Sequence, residues 1–307
     1  MAKQQAVRVG RRTVKVSNPG KVLYPDDAIT KGDLVDYYRQ VAEFMLPHLR
    51  SRPVAMERYP DGIDGERIFQ KDVPGYFPDW IDRVEVQKQG GRLRQVLCED
   101  AATLVYLANQ ACITPHVWLS RADRPDHPDQ LIFDLDPAGD EFEDARVAAL
   151  SLRSLLGELE LPSFAKTTGG KGIHLTVPLD RRADFEEVRG FARKVAEVLA
   201  GRDPDRLTTE QRKQRRQGRL YLDTMRNAYA QTAVPPFAAR ARPGATVAAP
   251  LDWSEVEDRS LRPSRFTITS ILDRLERTDD PWKDLRRRGR SLSQARKRLA
   301  ALAEAGG

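Results

Sequence analysis

Asp134 and Asp136 stand two positions apart in Leu131-Ile132-Phe133-Asp134-Leu135-Asp136-Pro137. Side chains alternate faces along a strand, so the two carboxylates point one way while Leu131, Phe133 and Leu135 point the other. Two carboxylates one pleat apart can hold a divalent cation between them, and an oxygen-only donor set suits Mg²⁺ or Mn²⁺. Pro137 stops the strand just past the second Asp. The same residues also suit a strand exit in which the carboxylates accept backbone N–H bonds of a turn. By themselves they do not choose between the two.

A second stretch with chemical potential is Thr167-Thr168-Gly169-Gly170-Lys171-Gly172. It reads as a tight turn between two strands. Its glycines allow backbone N–H groups to approach an anion, Thr168 can donate a hydroxyl and Lys171 adds positive charge, which is what a triphosphate requires. The spacing is not that of a strand-to-helix phosphate loop, and an ordinary glycine-rich turn stays open as a reading.

The elements that must position these groups follow from periodicity. A strand over 131–136 is followed by a helix over about 141–160, strands over 163–168 and 173–177, a helix over 184–200 and a strand over 219–223. That order is β-α-β-β-α-β, the split βαβ arrangement of an α/β (α+β) fold, with helices on one face of the sheet and the other face open. Phe133, Leu135, Ile173, Leu175, Val177, Leu220 and Leu222 form the apolar face. Asp134, Asp136, His174, Thr176, Tyr221 and Asp223 share the open one. Three carboxylates around one concavity suit two cations that stabilise the attacking and leaving oxygens of an in-line phosphoryl displacement. Pairing of the first strand with the last, which brings Asp223 to the other two, is an analogy with the usual strand order of this fold.

Upstream, residues 1–29 read as a basic arm carrying Arg8, Arg11, Arg12, Lys15 and Lys21. Thr30 and Asp33 form a capping box with Asp in place of Glu or Gln, and Leu34, Tyr38, Val41, Met45, Leu46 and Leu49 recur at helical steps. A hairpin over 84–98 turns at Gly90-Gly91, and Asp100 caps a second helix. Basic and aromatic residues interleave in Arg67-Ile68-Phe69-Gln70-Lys71, and Tyr76, Phe77 and Trp80 follow. An unpaired base needs such a mixture to stack on, although aromatic residues more often fill a core.

The 307 residues are 40% hydrophobic and 31% charged, enough for one large domain or two subdomains. Lys and Arg number 51 against 45 Asp and Glu, a net charge of +6 that favours a polyanionic partner where basic residues cluster. Two clusters occur: Arg206, Arg212, Lys213, Arg215, Arg216 and Arg219, and Arg286 to Arg298 near the end. Each suits nucleic-acid phosphates or a solvated helix face. Cys98 and Cys112 lie in no metal or disulfide pattern. No apolar run reaches the length of a membrane span and no signal-peptide core is present, so a cytoplasmic protein is expected.

Taken together, the motifs resemble the polymerase domain of LigD-type bacterial non-homologous end-joining proteins, in the archaeo-eukaryotic primase superfamily. The resemblance runs from Asn18-Pro19-Gly20-Lys21 to about Ile271. It is carried by Leu46-Pro47-His48-Leu49, Arg52-Pro53, Arg58-Tyr59-Pro60-Asp61-Gly62 and Phe69-Gln70-Lys71, then Phe133-Asp134-Leu135-Asp136-Pro137, Thr168-Gly169-Gly170-Lys171-Gly172-Ile173-His174, Asp223-Thr224-Met225-Arg226-Asn227 and Pro250-Leu251-Asp252-Trp253. It implies a primase-polymerase domain over 21–280, with an N-terminal α/β part over 21–128 and an RRM-like catalytic part over 129–280. A basic arm over 1–20 precedes it, and a basic helical tail over 281–307, without a counterpart in the family, follows. It implies a template-directed nucleotidyltransferase that extends or gap-fills DNA ends with a preference for ribonucleotides, using two Mn²⁺ or Mg²⁺ ions, with nucleoside triphosphates as substrates. Asp134, Asp136 and Asp223 match the metal-binding catalytic carboxylates. His116, Thr168, Lys171, His174 and Arg240 match nucleotide-binding positions. Arg52, Phe69 and Lys71 match the DNA surface, with Ile68 standing where the family often has an aromatic. Expected partners are DNA ends or a gapped duplex with a 5′-phosphate, together with Ku and a separate ligase, since the chain ends without a ligase or phosphoesterase module. A monomer acting at the bacterial nucleoid, without a membrane partner, completes the expectation. De novo priming and an idle DNA-end scaffold are the rival readings. Three carboxylates would repel phosphates in a mere binding module, and a nuclease would leave the triphosphate turn unexplained.

Overall fold

The computed structural model describes residues 4–137, 139 and 141–305; the outermost residues of the expected arm and tail, 1–3, 306 and 307, lie outside the described residues. The chain forms two compact units, Met1–Trp118 with Thr232–Ala249 and Phe266–Asp279, and Leu119–Gln231 with Pro250–Arg265 and Asp280–Gly307. Residues 232–249 and 266–279, expected in the second part, thus count with the first.

In the first unit, Thr30 and Asp33 cap the helix Lys31–Leu49 reciprocally, with Thr30 N–H donating to Asp33 Oδ2 at 2.8 Å and Asp33 N–H to Thr30 Oγ1 at 3.3 Å. Aspartate therefore serves in the place usually taken by glutamate. The helix buries Leu34, Tyr38, Val41, Met45, Leu46 and Leu49. The sheet of this unit runs in the order Thr232–Ala233, Cys112–Trp118, Pro53–Arg58, Gly91–Leu97, Arg83–Lys88, with Ile68–Gln70 also paired to Pro53–Arg58. The Arg83–Lys88 and Gly91–Leu97 hairpin turns at Gly90, whose φ of 78° explains a glycine there.

The basic arm is an ordered hairpin. Gln4–Val9 pairs antiparallel with Arg12–Ser17, and Val7, Val9, Val14 and Val16 are buried. Burying a valine contributes about 1.5 kcal/mol or more, and the alternating Arg8, Arg12 and Lys15 stay exposed, so the hairpin gains this without desolvating its charges. Asn109 fastens the hairpin, accepting from Ser17 N–H at 2.9 Å and donating to Lys15 O at 3.1 Å.

The second unit carries the βαββαβ order. Its sheet runs Leu207–Thr208, Leu220–Asp223, Gln130–Asp136, Ile173–Pro178, Phe164–Thr167, Pro250–Leu251, antiparallel except for the Leu207–Thr208 edge. Helices Phe142–Glu158 and Phe185–Arg202 touch each other and the central strand. Phe133, Leu135, Ile173, Leu175, Leu220 and Leu222 are buried, but so are Asp134, His174 and Thr176, so along the two central strands the polar face expected to be open is covered as well.

The C-terminal segment differs from the expected basic tail. Trp282 is buried and donates Nε1–H to Ala165 O at 2.8 Å, and Arg290 N–H donates to Pro178 O at 3.0 Å. In the helix Leu292–Ala305, Leu292, Ala295 and Leu299 are buried, while Arg296 and Arg298 bridge to Glu187 at 2.9 Å and Glu160 at 2.6 Å. Three apolar positions at helical spacing turn a basic run into a packed element. Among the described residues no helix is long and apolar enough to cross a membrane.

Candidate functional site

Register builds the first cluster. Asp134 pairs directly with His174 on one side and with Asp223 on the other, and Lys166 pairs with His174 one strand further on. Lys166, His174, Asp134 and Asp223 therefore form one row across the sheet on a shared face. Directly opposed side chains in antiparallel strands lie about 5 Å apart at Cβ, and like charges so placed repel. Asp136, opposite Tyr221, is the exposed member, Asp223 is half-buried, and Asp134, His174 and Lys166 are buried.

Local structure fixes the strand ends. Asp223 Oδ1 accepts from Met225 N–H at 2.7 Å, which turns the chain just past the carboxylate. Asn227 then mimics a strand residue, accepting from Ile132 N–H at 2.8 Å and donating to Ile132 O at 2.7 Å. The turn brings Arg226 Nε within 3.4 Å of Asp134 Oδ2.

The turn from Thr168 to Gly172 is built differently from expectation. The N–H groups of Gly170 and Gly172 donate to Thr168 Oγ1, at 3.1 and 3.3 Å, so these two are not turned outward to an anion. With both lone pairs engaged, the Thr168 hydroxyl has its O–H left to give. Gly172 is required for another reason: a Cβ there would overlap Asp136 Oδ1 and the Leu135 carbonyl.

Electrostatics separates the members of the row. Burial opposes ionisation of Asp134, but His174, Arg226 and Lys166 outweigh it and hold the carboxyl well below the usual range. Burial, reinforced by Lys166, lowers His174 to about 4, so it is a neutral imidazole at pH 7. Asp223 is raised, first by burial and further by Asp134. Asp134 Oδ1 lies 3.2 Å from His174 Nε2 but has no aligned hydrogen-bond donor. A buried carboxylate oxygen short of donors, beside a second carboxylate, fits a hard divalent cation. Among the described residues no three His, Cys, Asp or Glu side chains already converge on one point.

The first unit holds a second cluster. Ala55 pairs with His116, and Glu57 with both Thr114 and Phe69, so Glu57, His116 and Phe69 share a face. His116 Nε2 is 2.8 Å from Glu57 Oε2, Arg67 Nε–H and Tyr59 O–H donate to Oε1 at 2.7 and 3.2 Å, and the Phe69 ring meets His116 edge-on at 5.2 Å. Burial would raise Glu57, but His116, Arg240 and Arg67 bring it to about 2. Burial lowers Arg240, against the pull of Glu57.

Most predicted positions thus fall into these two clusters, with Lys71 exposed one residue past the Ile68–Gln70 strand. Arg52 does not belong to a DNA surface here: it is 1% exposed and donates Nη1–H to Trp118 O at 3.1 Å. It opens into a central strand, where a guanidinium satisfies backbone carbonyls. Sequence reasoning missed Glu57, Lys166 and Arg226. Lys166 could have been found from the alternation Ala165, Lys166, Thr167 against Ile173, His174, Leu175. Glu57 meets His116 across 59 positions and leaves no local signal.

Comparison with known proteins gives a consistent result. The LigD primase-polymerase domain family matches residues 30–282. The bifunctional non-homologous end joining protein LigD of Bacillus subtilis is 36% identical over 269 residues, 87% of this chain and 43% of that protein. The multifunctional LigD of Mycolicibacterium smegmatis is 34% identical over 270 residues, 87% of this chain and 35% of that protein. The chain spans less than half the length of these relatives. The polymerase domain of Mycobacterium tuberculosis ligase D, solved in complex with DNA, superposes with a TM-score of 0.84 at 33% identity, covering 90% of this chain and 99% of that one.

Proposed function

The chain belongs to the LigD primase-polymerase domain family, a family of nucleotidyltransferases, and on that premise we propose that it extends or gap-fills DNA ends by template-directed addition of ribonucleotides during non-homologous end joining. The observation that carries the proposal is the direct opposition of Asp134 and Asp223 on paired strands, with Asp136 one pleat away. Two directly opposed, partly desolvated carboxylates repel one another, and a divalent cation between them turns that cost into binding free energy.

In this reading Asp134, Asp136 and Asp223 supply oxygens to two divalent cations, Mn²⁺ or Mg²⁺. Bound there, the ions would neutralise charge at the α-phosphate and lower the pKa of the attacking DNA 3′-hydroxyl. Arg226 and Lys166 keep Asp134 ionised for that role, and His174 binds the triphosphate beside it. The Thr168 hydroxyl and the exposed Lys171 ammonium bind the triphosphate, and Thr168 also holds its loop in shape. His116, oriented by Glu57, and Arg240 contact the incoming nucleotide, while Phe69 and Lys71 face the template. A gapped duplex with a 5′-phosphate is the natural substrate, Ku and a separate ligase are partners in joining, and the protein works as a monomer at the nucleoid.

Extension of a gapped duplex with Mn²⁺ and ribonucleotides tests the assignment. Asp136→Ala should lower the rate by roughly 10³-fold or more, a loss of about 4 kcal/mol in transition-state stabilisation. Undiminished extension in that variant would overturn it.

A further inference from the structure

The basic and aromatic run that begins at Arg67 contains more than Phe69 and Lys71 can account for. Among the described residues five large apolar or aromatic side chains are exposed, and three of them, Ile68, Phe69 and Tyr76, lie close together in the sequence. Tyr76 is the most open, at 62%. It is nevertheless held in place. Its hydroxyl donates to Gln110 Oε1 at 3.3 Å and accepts from Arg58 Nη1 at 3.5 Å, and its ring centre lies 5.4 Å from that of buried Phe77. Phe77 is in turn seated edge-on against Tyr106 at 5.0 Å. An open ring whose orientation is already set loses little freedom when a flat ligand settles on it.

Strand register says which surface this is. Arg58 pairs with Ile68 and Met56 with Gln70, whereas Glu57 pairs with Phe69. Arg58 also donates to Gln70 Oε1 at 2.5 Å. Alternation therefore sets Arg58, Ile68 and Gln70, with Tyr76 bound to Arg58, on the side of the sheet opposite Phe69 and His116. Among the described residues Ile68–Gln70 pairs with Pro53–Arg58 alone and so forms an edge.

We propose that Tyr76 is a second stacking platform for unpaired bases, reached by a single-stranded DNA extension that leaves Phe69 and crosses this edge. The inference rests on the reading of the chain as an enzyme of DNA ends. Bases stack on an aromatic face regardless of sequence, and cations beside the ring track the phosphates. Arg58 stands at the Tyr76 hydroxyl, and exposed Lys71 lies just past the edge strand on the Phe69 side, where an extension crossing from Phe69 would pass it, while Arg67 stays paired to Glu57. Asp72, next to Lys71, is turned away to the Arg94 N–H at 2.9 Å. Two exposed apolar side chains rimmed by Gln70, Gln110 and Arg58 are too small a patch to seat a protein, but they match the area of one or two bases.

Fluorescence anisotropy of the full chain tests this with a blunt DNA duplex and the same duplex bearing single-stranded extensions of increasing length, at one salt concentration. The wild-type chain should gain affinity once the extension is long enough to cross the edge. Tyr76→Ala should remove that gain, roughly tenfold for the longest extension, without weakening the blunt duplex, and Tyr76→Phe should restore it. Equal affinities of wild type and Tyr76→Ala at every length overturn the proposal, as does an equal loss on the blunt duplex. Photo-cross-linking of wild type to extensions carrying 5-iodouracil at successive positions needs no variant: attachment at Tyr76 supports the proposal, and its absence at every position overturns it. Wild-type nucleotide addition on a gapped duplex separates the two readings. Addition without any Tyr76 effect sinks the platform alone, and absence of both DNA binding and addition sinks the broader function.

Discussion

Glu57 in the first unit and the Asp134 and Asp223 pair in the second are acids taken largely out of water, yet their surroundings treat them in opposite ways. Glu57 has both oxygens engaged, by Arg67, Tyr59 and His116, and its carboxyl settles at about 2 in spite of burial. Asp223 is raised by burial and by its neighbour's charge, and Asp134 keeps one buried oxygen without an aligned donor. A saturated carboxylate is a strut: its free energy is already spent on holding three elements together. An undersupplied pair holds electrostatic free energy in reserve, released when a cation arrives.

The contrast can be broken most sharply at Asp223. Asp223→Asn removes a repulsion along with a ligand, so nucleotide addition should fall roughly 10³-fold while the urea midpoint stays level or rises. A variant that unfolds instead would make Asp223 a strut as well. Glu57→Gln should do the reverse to stability, lowering it by about 2 kcal/mol, because the Arg67 and His116 partners lose their anion. Acid titration sharpens this. A carboxyl at about 2 in the fold and near 4.5 unfolded contributes stability that is complete above pH 4.5 and disappears as pH falls through 2. Urea midpoints followed between those limits should fall more steeply for wild type than for Glu57→Gln. Asp223, being raised, has the opposite sign: its ionisation costs stability at neutral pH, and acid relieves that cost. The smallest effect belongs to Arg67→Ala. Its side chain is 55% exposed, so unfolding measurements should show a loss under about 1 kcal/mol, with His116 carrying most of what holds Glu57.

What could be read from the chain beforehand follows the range of the forces involved. The second unit's order of strands and helices was legible because period-2 alternation and helix caps are local, and the shared face of Asp134, His174 and Asp223 follows from alternation once the strand order is supplied. The N-terminal hairpin was hidden by its own arginines, although Val7, Val9, Val14 and Val16 alternate as a buried face requires. Arg52 was misread because an arginine before proline looks like surface until the strand it opens proves central. Two-residue strands such as Thr232–Ala233 and Pro250–Leu251 join sheets assembled from distant segments, and nothing within two residues announces that. Thr168 shows the finer limit: the residue types of the turn were readable, but not that its hydroxyl would take up the glycine N–H groups.

Trp282 has a practical consequence for anyone shortening this protein. Its indole donates to the carbonyl of Ala165, next to Lys166, and its ring stands edge-on to Phe164 at 6.0 Å. Trimming the chain at a boundary drawn from charge, just before residue 281, would strip the cover from the strand that carries the buried lysine and leave a carbonyl without its donor. A serviceable truncation has to be placed by what the C-terminal residues touch, and their content of arginine is a poor guide to where the fold stops.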